Sequence, residues 1–134
     1  QRGWDGRVEL AFADSGDRGS IDGLAALRAR RAVAVFEVKS ELGSLEETNR
    51  VLDMKERIAP KLATAAFGWR PAVVGRILVV PRDMTVRRVV DAHAETMAAI
   101  YSARSREVRA WLREPGRPMR GIWFVSEPRN TRHV

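Results

Sequence analysis

Three charged residues stand inside runs that otherwise suit a buried sheet: Asp22 in GSIDGLA, and Glu37 and Lys39 in VFEVKSEL. A hairpin whose connection is Arg28 to Arg31 sets Asp22 directly across from Glu37, because opposed residues of an antiparallel pair keep a constant index sum. Their Cβ atoms would lie about 5 Å apart on one face. Lys39, two residues beyond Glu37, shares that face, and Ser20 would oppose it. Two ionised carboxylates at that separation repel by about 3 kcal/mol at an effective dielectric of about 20, so a cation or a proton has to intervene. Lys39 can offset one charge. A divalent ion can offset both, and hard oxygen donors without cysteine or paired histidine favour Mg²⁺ or Mn²⁺ over zinc. The chemistry this permits is phosphodiester hydrolysis: the metal polarises a phosphoryl oxygen and acidifies a water, while the lysine orients that water or neutralises developing charge. The competing account is a structural ion pair of Lys39 with Glu37 or Asp22 at the solvent end of the hairpin. A one-residue slip in register would turn Asp22 to the other face.

The elements around these residues are legible in outline. Residues 8–13 form a short apolar strand closed by the turn cluster Asp14 to Gly19. Strands at 20–27 and 32–40 follow, which makes a three-strand antiparallel meander. Ser44, with Glu47 three residues later, has the spacing of a capping box and opens a helix over 45–67. Its apolar positions, Leu45, Thr48, Leu52, Ala59, Leu62 and Ala66, predict the face turned to the sheet. Pro60 predicts a kink or break, and Gly68 a stop. Residues 73–80 are β-branched and apolar on both faces, the pattern of a central strand, and their entry through a helix predicts that they run parallel to the strand before it. Thr85 can cap a helix carrying the stripe Val86, Val89, Val90, His93, Met97 and Ile100. A further helix over 106–113, a last strand over 121–125 and a loose polar tail from Glu127 complete the chain.

A chain of 134 residues with 45% hydrophobic content can bury one core, so residues 1–134 are read as a single domain. No apolar run reaches the length of a membrane span, and the start lacks a signal peptide's basic flank and apolar stretch, which predicts a soluble protein without a membrane partner. The absence of cysteine excludes disulfides and thiolate metal sites and fits the cytoplasm. A formal charge of +7 predicts attraction to polyanions, nucleic acid first. Lys39, Lys55 and Lys61 are the only lysines, and the rest of the 24 basic residues are arginine, a skew that GC-rich coding produces unaided. The chain opens at Gln1 without an initiator methionine, which suggests a piece of a longer polypeptide.

Ser20-Ile21-Asp22, fourteen intervening residues and then Glu37-Val38-Lys39, followed by helix, buried strand and helix, resembles the PD-(D/E)XK nuclease superfamily. More narrowly, GSIDGLA, FEVKSEL and LDMK resemble the nuclease-like domain that follows a helix-turn-helix domain in many proteins of high-GC bacteria. The resemblance covers nearly the whole chain and implies an α/β, restriction-endonuclease-like mixed sheet. It also implies cleavage of nucleic-acid backbones, DNA before RNA by analogy with the attached helix-turn-helix. The superfamily's catalytic acids and lysine fall on Asp22, Glu37 and Lys39, with Mg²⁺ or Mn²⁺ held by Asp22, Glu37 and the carbonyl of Val38. Ile21 replaces the proline that names the motif. The superfamily's opening helix has no counterpart; it would lie upstream of Gln1, or the core would be incomplete and one side of the sheet would invite a homodimer or a covering partner.

Other charged residues have a binding role and a plainer one. Arg50, Met54, Arg57 and Lys61 share a face of the long helix, with Lys55 near it; Arg50, Lys55 and Arg57 are the candidates for a phosphate backbone. Glu46, Asp53 and Glu56 intersperse this stripe, as on an ordinary solvated helix. His93 stands two residues from Asp91 and from Glu95, a spacing that points side chains apart on a helix and excludes a shared ion. His133 lies in the tail, and the four tryptophans are spread over separate elements, which fits packing better than base stacking. The rival to a nuclease is a noncatalytic module, in which the same fold serves a DNA-binding regulator as an effector or dimerisation domain.

Overall fold

Chain reversals at two polar clusters produce the first three strands. In a computed structural model, which describes residues 3–126, β1 (Asp5–Asp14) and β2 (Asp17–Leu27) are antiparallel and joined through Ser15 and Gly16. Both turn residues have positive φ, 49° and 90°, the twist that a two-residue hairpin loop requires. A single 3₁₀ turn, Arg28–Arg30, closed by Arg31 in the left-handed region, leads into β3 (Ala32–Val38), which is antiparallel to β2. The expected meander forms. Its first two strands extend beyond their apolar runs, because main-chain pairing continues where the side chains are already polar. β3 stops at Val38, two residues short of the expected end.

The helix α1 (Leu45–Phe67) has the predicted limits. Ser44 Oγ accepts from the Glu47 N–H at 3.1 Å, whereas the Glu47 carboxylate turns to Arg50, so half of the expected capping box forms. Pro60 does not break the helix. Ile58, Ala59 and Ala63 are buried around it against β2 and β3, and that burial outweighs the hydrogen bond proline removes. Gly68 ends α1 at φ 85°, in the left-handed region.

β4 (Val73–Pro81) runs parallel to β3, as its entry through a helix requires. Then come α2 (Met84–Ala92), α3 (Ala94–Ile100), α4 (Ser105–Arg113) and β5 (Met119–Val125), the last parallel to β4. The cap of α2 is Asp83, whose carboxylate accepts from Val86 N, in place of Thr85. The single expected helix divides at His93, which is exposed, yet Val86, Val90 and Met97 of the predicted stripe are buried. The sheet order is β1-β2-β3-β4-β5, a mixed α/β fold in which α1 lies across one face.

On the other face α4 covers the centre through Val108, Trp111 and Leu112, with Trp4 beside Trp111. Glycine is required where α4 presses on the sheet: a Cβ at Gly121 would collide with the Val108 side chain, and one at Gly75 would stand 2.5 Å from the Trp111 ring. The side expected to be open is therefore partly closed. Val8 and Val38, outside the reach of α4, remain 79% and 58% exposed. Among the described residues no helix is long and apolar enough to cross a membrane. The tail from Glu127, with His133, lies outside the described residues.

Candidate functional site

The β2–β3 ladder ends at Gly23 and Phe36, one step before Asp22 and Glu37 would pair. Its register is the predicted one. Lys39 N donates to Val79 O on β4, so strand alternation directs the Val38 N–H the other way, toward β2. The acceptor there is a side chain: Asp22 Oδ2 takes the Val38 N–H at 2.8 Å, where a continuing ladder would offer a backbone carbonyl. Asp22 thus ends the pairing and marks the point where β2 parts from β3. The Val38 carbonyl, leaving an extended residue on the same side as its N–H, is directed to the same gap. Ser20 pairs with Ala11 on β1, so its expected opposition to Lys39 does not form, because β2 has already left β3.

Glu37 stands on the α1 side of the sheet and is 5% exposed. Two ammonium groups serve it. Lys55 Nζ, from α1, lies 2.9 Å from Oε1, and Lys39 Nζ lies 3.9 Å from Oε2. Lys39 is 41% exposed at the rim, whereas the Lys55 side chain is 9% exposed. The structure therefore brings Asp22, Glu37, Val38 and Lys39 to one strand end. Lys55 does not stand on the open helix stripe expected of it: the spacing along α1 that turns Leu52 and Ala59 inward carries Lys55 inward too, and Glu37 supplies the partner that makes its burial tolerable.

Arg50 and Arg57 are exposed, as a backbone-tracking role needs, and each is already paired, Arg50 with Glu47 and Arg57 with Asp17. A groove of about 740 Å³ runs between the β1–β2 turn and α1, lined by Asp17, Arg18, Arg50, Lys55 and Arg57. Lys61–Asp14 and Arg57–Asp17 tie that turn to the helix. The larger hollow, about 1000 Å³, lies elsewhere, between α4 and the start of β5.

The donors at the strand end are carboxylate and carbonyl oxygens, the set that suits a hard divalent cation. The ammonium of Lys55 on Glu37 Oε1 shows that positive charge is held at this spot. Among the described residues no group of three or more His, Cys, Asp or Glu gathers to hold a metal.

A second charged assembly lay outside the sequence reading. Arg76, 1% exposed in β4, is bound by Asp53 and Glu56 of α1 and by the hydroxyl of Tyr101, which donates in turn to Asn49 Oδ1 at 2.7 Å. Arg120 of β5 grips Glu56 through two bonds of 2.9 Å. The signal was available: an arginine inside an apolar central strand demands partners, and Asn49, Asp53 and Glu56 recur at helical spacing on the facing helix. Burial raises the Tyr101 hydroxyl above its ordinary range despite the guanidinium beside it.

Comparison with protein-family models, with curated proteins and with solved structures finds no match for this chain.

Proposed function

We propose that this domain is a metal-dependent nuclease of the restriction-endonuclease-like type, acting on nucleic-acid phosphodiester bonds, DNA before RNA. The observation that carries the reading is that β2 stops pairing with β3 just before Asp22, whose carboxylate takes the Val38 N–H beside Glu37, with the Lys39 ammonium 3.9 Å from Glu37. The order of elements, an antiparallel meander, a helix and then a parallel strand, is the arrangement in which that superfamily presents its acids and lysine.

Asp22, Glu37 and the Val38 carbonyl would hold Mg²⁺ or Mn²⁺, which when bound supplies a Lewis acid for the phosphoryl oxygen and lowers the pKa of water. Asp22 is set by its bond to Val38 N, so its second oxygen has a defined direction. Lys39, at the solvent rim, can orient the attacking water or meet the charge that develops on phosphate. The groove beside α1 offers Arg18, Arg50 and Arg57 to the backbone of a bound strand.

The test is cleavage of plasmid and single-stranded DNA and of RNA with Mg²⁺ or Mn²⁺. Lys39→Ala and Asp22→Asn are expected to lower the rate by about 10²-fold or more at unchanged fold. A second reading has its own support. Asp22 and Glu37 already have protein partners, so the cluster is complete as a structural device, and a noncatalytic module of a DNA-binding regulator would need nothing more. Salt-sensitive binding without cleavage, unchanged by Asp22→Ala, would favour that module.

A further inference from the structure

Of the three lysines, Lys39 and Lys61 have side chains 41% and 73% exposed, whereas that of Lys55 is 9% exposed. An ammonium ion is costly to bury unless an anion meets it at close range, and Glu37 Oε1 does so at 2.9 Å. The dependence is mutual, since Glu37 is as deeply buried and its other nearby cation is 3.9 Å away. Lys55 thus takes a position from which positive charge neutralises the innermost carboxylate of the strand end.

The helix that carries it cannot easily withdraw. Asp53 and Glu56, on either side of Lys55 in α1, are bound to Arg76 of β4, and Glu56 also to Arg120 of β5. Lys55 itself is less confined. It lines the groove between α1 and the β1–β2 turn, so its flexible stem has an exit that leaves the backbone in place.

We propose that Lys55 is a built-in placeholder cation: it occupies Oε1 of Glu37, and a divalent ion enters only by displacing it into the groove. The inference rests on the metal site proposed above and adds a control on loading, a resting state in which the carboxylate is already neutralised. Removing the placeholder charge should then tighten metal binding.

The experiment titrates Mn²⁺ alone into the 134-residue chain and follows the resonance signal of unbound Mn²⁺. Lys55→Met is expected to bind Mn²⁺ about tenfold more tightly than wild type, and Lys55→Gln, polar but uncharged, serves if the methionine variant does not fold. Adding Glu37→Gln to either variant abolishes the gain, and Lys55→Arg, which keeps the charge, gives none. Equal or weaker binding in the uncharged variants, a gain that survives Glu37→Gln, or a gain in Lys55→Arg overturns the proposal. No nucleic acid is present, so a chain that behaves as expected here but cleaves nothing refutes the nuclease reading alone.

Discussion

Glu37 is the residue on which the strand end depends. Its carboxylate is buried with the ammonium of Lys55, so Glu37→Ala removes one member of a desolvated pair and leaves the other charge without a partner at close range. The expected cost is about 3–5 kcal/mol, measured by urea unfolding, against less than about 0.5 kcal/mol for Lys39→Ala, which acts at the exposed rim. Similar losses for both variants would mean that Lys39 supports the fold as much as Lys55 does. Asp22, Glu37 and Lys39 could be picked out because charge inside an apolar hairpin is conspicuous and register follows from the connection length. Lys55 was open to a similar argument: it stands three residues after Leu52 and four before Ala59, both on the face predicted to meet the sheet, so the helical period itself turns it inward. That Glu37 is its partner depends on how α1 crosses the strands, and that crossing is a tertiary fact.

Elements were more legible than side chains, for reasons α1 displays. Ser44 and Gly68 mark its ends through local backbone chemistry, and both ends were read correctly. The break that Pro60 could cause does not occur, because the proline's penalty is local whereas what offsets it is remote: the burial of Ile58, Ala59 and Ala63 against strands distant in sequence. The stripe at 86–100 divides into α2 and α3 at His93. If packing offsets the proline's penalty, Pro60→Ala should restore a hydrogen bond without disturbing the contacts. Stability is expected to rise by about 1–3 kcal/mol in urea unfolding, the range in which an interior proline weakens a helix. A loss of stability would show that the proline shapes the helix to fit the sheet.

For the molecule as a whole, the excess of +7 is a surface property, and the interior answers to a different balance of charge. Arg76 sits at the centre of that balance, joining α1 to β4, while Glu56 carries it on to β5 through Arg120. Burial acts to raise the Glu56 carboxyl, but the guanidiniums of Arg120 and Arg76 outweigh it and hold the group below its ordinary value of 4.5. The sign for stability follows. As pH falls toward 4.5 the unfolded chain takes up the proton first, while Glu56 in the folded chain stays ionised to lower pH. Its contribution is therefore present in full above that value and drains away as pH falls through the depressed folded value. Glu56→Gln should lower the melting temperature at pH 7 and flatten its acid decline, so that the two melting curves, followed from about pH 7 to about pH 3, converge at the acid end. A difference that stays constant with pH would place the effect in side-chain packing and remove Glu56 from the acid response.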